Sequence, residues 1–245
     1  MQQYDGYEMP YQMSAAEAAA SERSLFVRRV YTHVAGAVLA LIAIEAVLLS
    51  VVDPRLVLNT MFAGKFSWLI VLLAFMGASF LARMWAQSQS SRVMQYMGLS
   101  LYVVAEAVIL LPLLIVAQFF QERVQPGSNV IAQAGLLTFM VFVGLTLSVF
   151  TLKKDFSFLG PVITIGSLIA LGVIVAGILF GFTLGLFFSF AMVALLSAAI
   201  LYQTSAVMLH YPTDMYVAAS LELFASIATL FWYILQILMS LNGRD

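Results

Sequence analysis

Seven predominantly apolar stretches dominate this chain, at 32–52, 66–85, 95–118, 130–150, 158–180, 185–206 and 216–240. Each is close to the ~20 residues that carry a helix across about 30 Å of hydrocarbon. In lipid every backbone N–H and C=O must be satisfied within the protein, which leaves only helices or closed barrels. These runs lack the alternation of barrel strands, so the expected fold is all-α: a polytopic membrane helical bundle of seven transmembrane helices. Hydrophobic residues make up 63% of the chain, charged residues 9%, and the mean hydropathy is +1.01. A soluble domain carries roughly 25% charged residues, and a core of this size could not hide so much apolar surface.

The breaks between stretches are turn-like: Asp53-Pro54, Gln87 to Arg92, Gln125-Pro126-Gly127, Lys153-Lys154-Asp155 and Tyr211-Pro212-Thr213-Asp214. Only Gly181 to Leu184 separates the fifth span from the sixth, and that boundary is the weakest. Residues 1–24 are polar, cannot bury enough surface to fold alone, and are expected to form a flexible cytoplasmic tail ahead of a transmembrane domain at 25–245. They lack the apolar core of a signal peptide. With the N-terminus inside, the cytoplasmic segments hold Arg23, Arg28, Arg29, Arg83, Arg92, Lys153 and Lys154, against Arg55, Lys65, Arg123 and Arg244 outside. That bias favours a cytoplasmic N-terminus and, with seven spans, an external C-terminus in the cell (inner or plasma) membrane. A formal charge of −1 provides no basic footprint for nucleic acid, and there is no cysteine for a disulfide or thiolate site.

The last span carries the densest polar pattern. Glu222, Ser226, Thr229, Tyr233, Gln236 and Ser240 recur at steps of four and three, which places them on one helical face. Such a stripe is costly against lipid and is expected to face the protein interior or a wet cavity. For the Ser, Thr and Gln residues the plainer reading is hydrogen bonding to neighbouring helices. Glu222 is ionisable and a candidate for function. Glu45 in the first span and Glu106 in the third also lie near mid-membrane, and no Lys or Arg sits well inside a span to neutralise them. They are expected to act as neutral hydrogen-bond donors or as parts of a proton or cation path. Arg83, at the end of the second span, can either snorkel to the interface or swing towards an acid, and the sequence does not select between them.

No catalytic motif is present: there is no His-Glu-x-x-His, Walker loop or Gly-x-Gly-x-x-Gly. His33 and His210 fall at membrane edges, as interfacial residues rather than bases or metal ligands. The chain is not expected to be an enzyme or to need a cofactor or a bound metal.

Several segments together resemble the Bax inhibitor/YccA family of seven-span membrane proteins. They are Arg29-Val-Tyr-Thr-His-Val-Ala-Gly36, Tyr102-Val-Val-Ala-Glu-Ala-Val-Ile-Leu-Leu-Pro112, Thr151-Leu-Lys-Lys-Asp-Phe-Ser-Phe-Leu-Gly160, Leu201-Tyr-Gln-Thr-Ser205 and Tyr216 to Phe231. The similarity spans roughly residues 25–242. It implies a compact bundle with the last helix central. Many family members carry two aspartates in the last two spans, linked to a pH-sensitive calcium leak; the corresponding positions here are Gln203 and Ser226. Two neutral side chains cannot share a proton or present two negative charges to calcium.

The departures from that pattern, together with Ser157-Phe-Leu-Gly160 and Gly243-Arg-Asp245, look like the YccA branch. That resemblance implies a modulator and slow substrate of the FtsH-type AAA+ membrane protease. A short cytoplasmic tail, here including Met1, Glu17 and Arg23, would be the segment engaged by that partner. The alternative is a pH-sensitive calcium, cation or proton leak that uses Glu222 with Glu106, Glu45, Ser226, Gln203, Thr229 and Tyr233. A stress-related scaffold is the third reading. The missing aspartates favour the protease modulator.

Overall fold

The computed structural model describes residues 14–61, 64, 66–89, 91–124 and 126–243. Among these, eight helices follow one another: α1 Ala20–Val51, α2 Pro54–Met61, α3 Ser67–Ala86, α4 Arg92–Arg123, α5 Val130–Leu152, α6 Leu159–Phe180, α7 Gly185–Leu209 and α8 Tyr216–Asn242. All but α2 are long and apolar enough to cross a membrane, and they coincide with the seven apolar stretches. Large apolar side chains such as Leu39, Phe80, Phe139, Ile169 and Phe187 point outwards, as expected where lipid is the surrounding solvent.

Local chemistry sets the helix ends. The Ser91 hydroxyl accepts from the Met94 N–H at the start of α4, and the Asn129 amide oxygen accepts from Ala132 N–H at 3.0 Å at the start of α5. Gly181 closes α6 in the left-handed conformation at φ 78°, and its N–H donates to the Gly177 carbonyl at 2.8 Å. The weakest predicted boundary is therefore real: Gly181 and Gly185, both at positive φ, shape the turn there. Pro54 opens α2, where the missing proline N–H costs nothing. The Asp53 carboxylate accepts from the Arg55 N–H at 2.9 Å.

The last helix is central, as expected, and α4 shares that position. α8 packs against α1, α3, α4, α5 and α7, while α6 lies at the periphery beside α7. Leu221, Phe224, Leu230 and Leu235 of α8 join Tyr102, Leu110 and Leu114 of α4 in the main core.

α1 begins well before its predicted span. Residues 20–24, assigned to the tail from sequence, are helical, because Phe26, Val30 and Val34 continue one apolar face onto Val207, Ala219 and Leu223. Ser14 to Ala19 dock on the turn between α7 and α8. The Ala15 N–H donates to the Tyr211 carbonyl at 2.9 Å, Ser14 pairs with Pro212 as an isolated antiparallel bridge, and Ala15 is fully buried.

Candidate functional site

A three-residue cluster marks depth in the bundle. The His33 imidazole meets the Tyr96 hydroxyl at 3.0 Å, and Tyr96 meets the Tyr216 hydroxyl at 3.1 Å, so α1, α4 and α8 share one level there. At 1.5 Å per residue, Glu222 lies about 9 Å further along its helix, Glu106 about 15 Å, Glu45 about 18 Å and Thr229 about 20 Å. The acids thus occupy two layers. Glu222 is shallow, and Glu45 and Glu106 lie near the middle.

In the shallow layer, the Arg83 guanidinium of α3 lies 3.4 Å from the Glu222 carboxylate. Arg83 also sits over the Tyr102 ring, 5.7 Å from its centroid. Tyr102 is buried and meets both Phe75 and Phe224 edge to face, at 6.1 and 6.0 Å. Its hydroxyl interacts with the Glu106 carboxyl one turn further along α4. An aromatic layer with a single polar thread therefore separates Glu222 from Glu106.

In the deeper layer, Glu45 and Glu106 are buried at 5% and 3% exposure. Both carboxyl oxygens of Glu45 and Oε2 of Glu106 have no hydrogen-bond partner. The two lie within electrostatic reach of each other. Glu106 forms the inner end of a cavity of about 630 Å³ that runs towards the α6–α7 turn. Thr229, Tyr233, Gln236 and Ser240 of the α8 stripe line it, together with Ser189, whose hydroxyl donates to the Gln236 amide oxygen at 3.2 Å. The Thr229 hydroxyl donates to the Ala225 carbonyl at 2.8 Å, so its own helix already occupies its hydrogen.

The candidate residues do not form one cluster. Glu222 stands apart with Arg83, Ser226 is buried in α8, and Gln203 on α7 has an amide oxygen without a partner. Glu17 accepts from the Ser14 hydroxyl at 3.0 Å, and Arg23 donates to the Ala16 carbonyl at 2.9 Å, so both are engaged within the chain. Met1 lies outside the described residues. Sequence reasoning left the partner of Arg83 open and missed Trp68, Ser167 and Trp232 on the cavity wall. Isolated aromatic and serine residues in a span carry no periodic signal.

Outside the spans, Asp155 joins the α5–α6 connection to the end of α7. It accepts from the Ser157 N–H at 2.8 Å and meets His210 Nε2 at 3.0 Å. The Ser157 hydroxyl and N–H, with His210 behind them, pull the Asp155 carboxyl down to about 2.

A multi-pass helical membrane protein, with acids held inside the bundle around a polar-striped central helix, is the class these features define. The chain belongs to the family described as inhibitor of apoptosis-promoting Bax1, which matches over residues 23–243. It is 31% identical over 244 residues to an uncharacterised protein of Pseudomonas aeruginosa, covering 97% of this chain and 99% of that relative. An uncharacterised membrane protein of Vibrio cholerae is 35% identical over 127 residues, 51% of this chain and 56% of its own. An uncharacterised protein of Neisseria meningitidis is 28% identical over 124 residues, 50% of this chain and 54% of the relative. No solved structure matches the chain.

Proposed function

We propose that the protein is a leak pathway for protons in the cell membrane, and not an enzyme. The observation that carries this reading is the cavity of about 630 Å³ ending on Glu106 at mid-depth. A carboxyl in that position shortens the stretch of hydrocarbon that a charge must cross. From Glu106 the polar thread continues through Tyr102 and Arg83 to Glu222. The Lys and Arg distribution supports a reading with the cavity on the outer side and the Arg83–Glu222 pair towards the cytoplasm. The pair acts as the closure, and loss of the Glu222 charge releases Arg83. One carboxylate, Glu222, in place of the family's two binds calcium weakly, which favours protons.

The test is ion flux in proteoliposomes with wild type and Glu222→Gln. An uncharged residue at this position mimics the released state, so flux at neutral pH rises. Equal flux from both proteins would overturn the closure.

The second reading, modulation of an FtsH-type protease, is favoured by the docking of Ser14 to Ala19 on the α7–α8 turn. A processive protease must detach this segment before it can pull on α1, which suits a slow substrate. Deleting residues 2–20 should abolish any effect on protease activity in reconstituted membranes. Full modulation by the truncated chain would sink it.

A further inference from the structure

The cavity wall is unlike a channel for hydrated ions, and it suggests a ligand. Its inner end is a carboxyl with an oxygen that has no hydrogen-bond partner and a residue exposure of 3%. The lining described contains no Lys, Arg or second acid to compensate it. Towards the α6–α7 turn, Trp68 of α3 and Trp232 of α8 stack with ring centroids 6.3 Å apart and planes at 27°. Phe75 and Tyr233 add further rings. Ser189 and Gln236 supply neutral hydrogen-bonding groups between them.

We propose that this cavity binds an amphipathic organic cation, an ammonium or phosphonium carrying apolar or aromatic groups. A volume of about 630 Å³ falls within the range of small-molecule sites. The aromatic faces attract a weakly hydrated cation, and burial strengthens that attraction. Glu106 supplies the countercharge. A small inorganic cation would have to exchange its water shell for rings and aliphatic side chains, which offer too few oxygens. A lipid acyl chain would fill the space but leave the Glu106 oxygen unpaired. An anion would meet the carboxyl directly. The site stands whether or not ions pass through the bundle.

Binding is measured on the purified full chain in nanodiscs by tryptophan fluorescence, with no ion gradient, so a failed flux assay leaves the result untouched. Two of the three tryptophans, Trp68 and Trp232, line the cavity; the third is Trp85. The probe is tetraphenylphosphonium, with tetraphenylborate as an anion of the same shape. Saturable quenching by the phosphonium alone is expected, weakened about tenfold or more by Glu106→Gln and by Trp232→Leu. The proposal is overturned if the borate binds equally well, if wild type gives no saturable signal, or if folded Glu106→Gln binds as wild type does. Should Glu106→Gln not fold, Trp232→Leu decides alone, because unchanged affinity there removes the aromatic site.

Discussion

The Arg83 guanidinium lies 3.4 Å from the Glu222 carboxylate and ties the end of α3 to the first turns of the central helix. Both side chains are partly exposed, at 41% and 27%, so the pair is a modest contact that can open. A double-mutant cycle of Arg83→Gln and Glu222→Gln, followed by thermal unfolding in detergent, should give a coupling of about 1 kcal/mol. Strictly additive losses would mean that the two side chains act separately. Opening the pair shifts the population of the closed state by about fivefold at this energy, which sets the size of the flux change expected for Glu222→Gln.

The α3–α4 interface leaves no room at Gly98. A Cβ there would meet the Ala82 carbonyl oxygen and lie 2.6 Å from the Ala86 nitrogen, and both are backbone atoms that cannot rotate away. Gly98→Ala should cost about 3 kcal/mol through forced separation of the helices. Gly144→Ala, with nothing within 4 Å of the added carbon, should leave stability unchanged or raise it slightly. Thermal unfolding of the two variants side by side checks the contrast, and similar midpoints would refute the close approach.

Asp155 sets an acid limit on the end of the bundle where the α5–α6 connection meets the end of α7. Its folded value, near about 2, lies below the ~3.9 of an unfolded aspartate. Its contribution is therefore fully present above pH ~4 and is lost as pH falls towards about 2. Asp155→Asn should lower the unfolding midpoint at neutral pH and flatten its fall between pH ~4 and ~2. A variant with the wild-type acid slope would show that the carboxylate is not stabilised there.

The docked N-terminal segment can be trapped, because the chain has no cysteine of its own. Ser14 and Pro212 face each other across an antiparallel bridge, within the Cα separation that a disulfide spans. Ser14→Cys with Pro212→Cys should cross-link within the chain under mild oxidation. Under the protease reading, the oxidised form should be degraded more slowly than the reduced form. A pair that stays reduced would mean that the segment does not dock.

Much of this architecture follows from patterns that the chain carries openly. Step-three and step-four spacing puts Thr229, Tyr233, Gln236 and Ser240 on one wall of the cavity, because helical period alone determines which residues share a face. Period does not determine which neighbour each residue meets. Glu222 belongs to the same face, yet its partner is Arg83, and only tertiary packing selects that arginine. The eight residues of α2 are too short to register against a bilayer-length window. The early start of α1 depends on Phe26 and Val30 finding α7 and α8, contacts far away in sequence.

Proton flux against pH in proteoliposomes, with wild type and Glu106→Gln side by side, tests the central claim most directly. Glu106 is the mid-depth end of the cavity, so wild type should conduct above protein-free vesicles, with flux rising as pH falls, and Glu106→Gln should return to the vesicle background. Wild-type flux no greater than that of empty vesicles, or a folded Glu106→Gln protein that conducts as wild type does, would contradict the account.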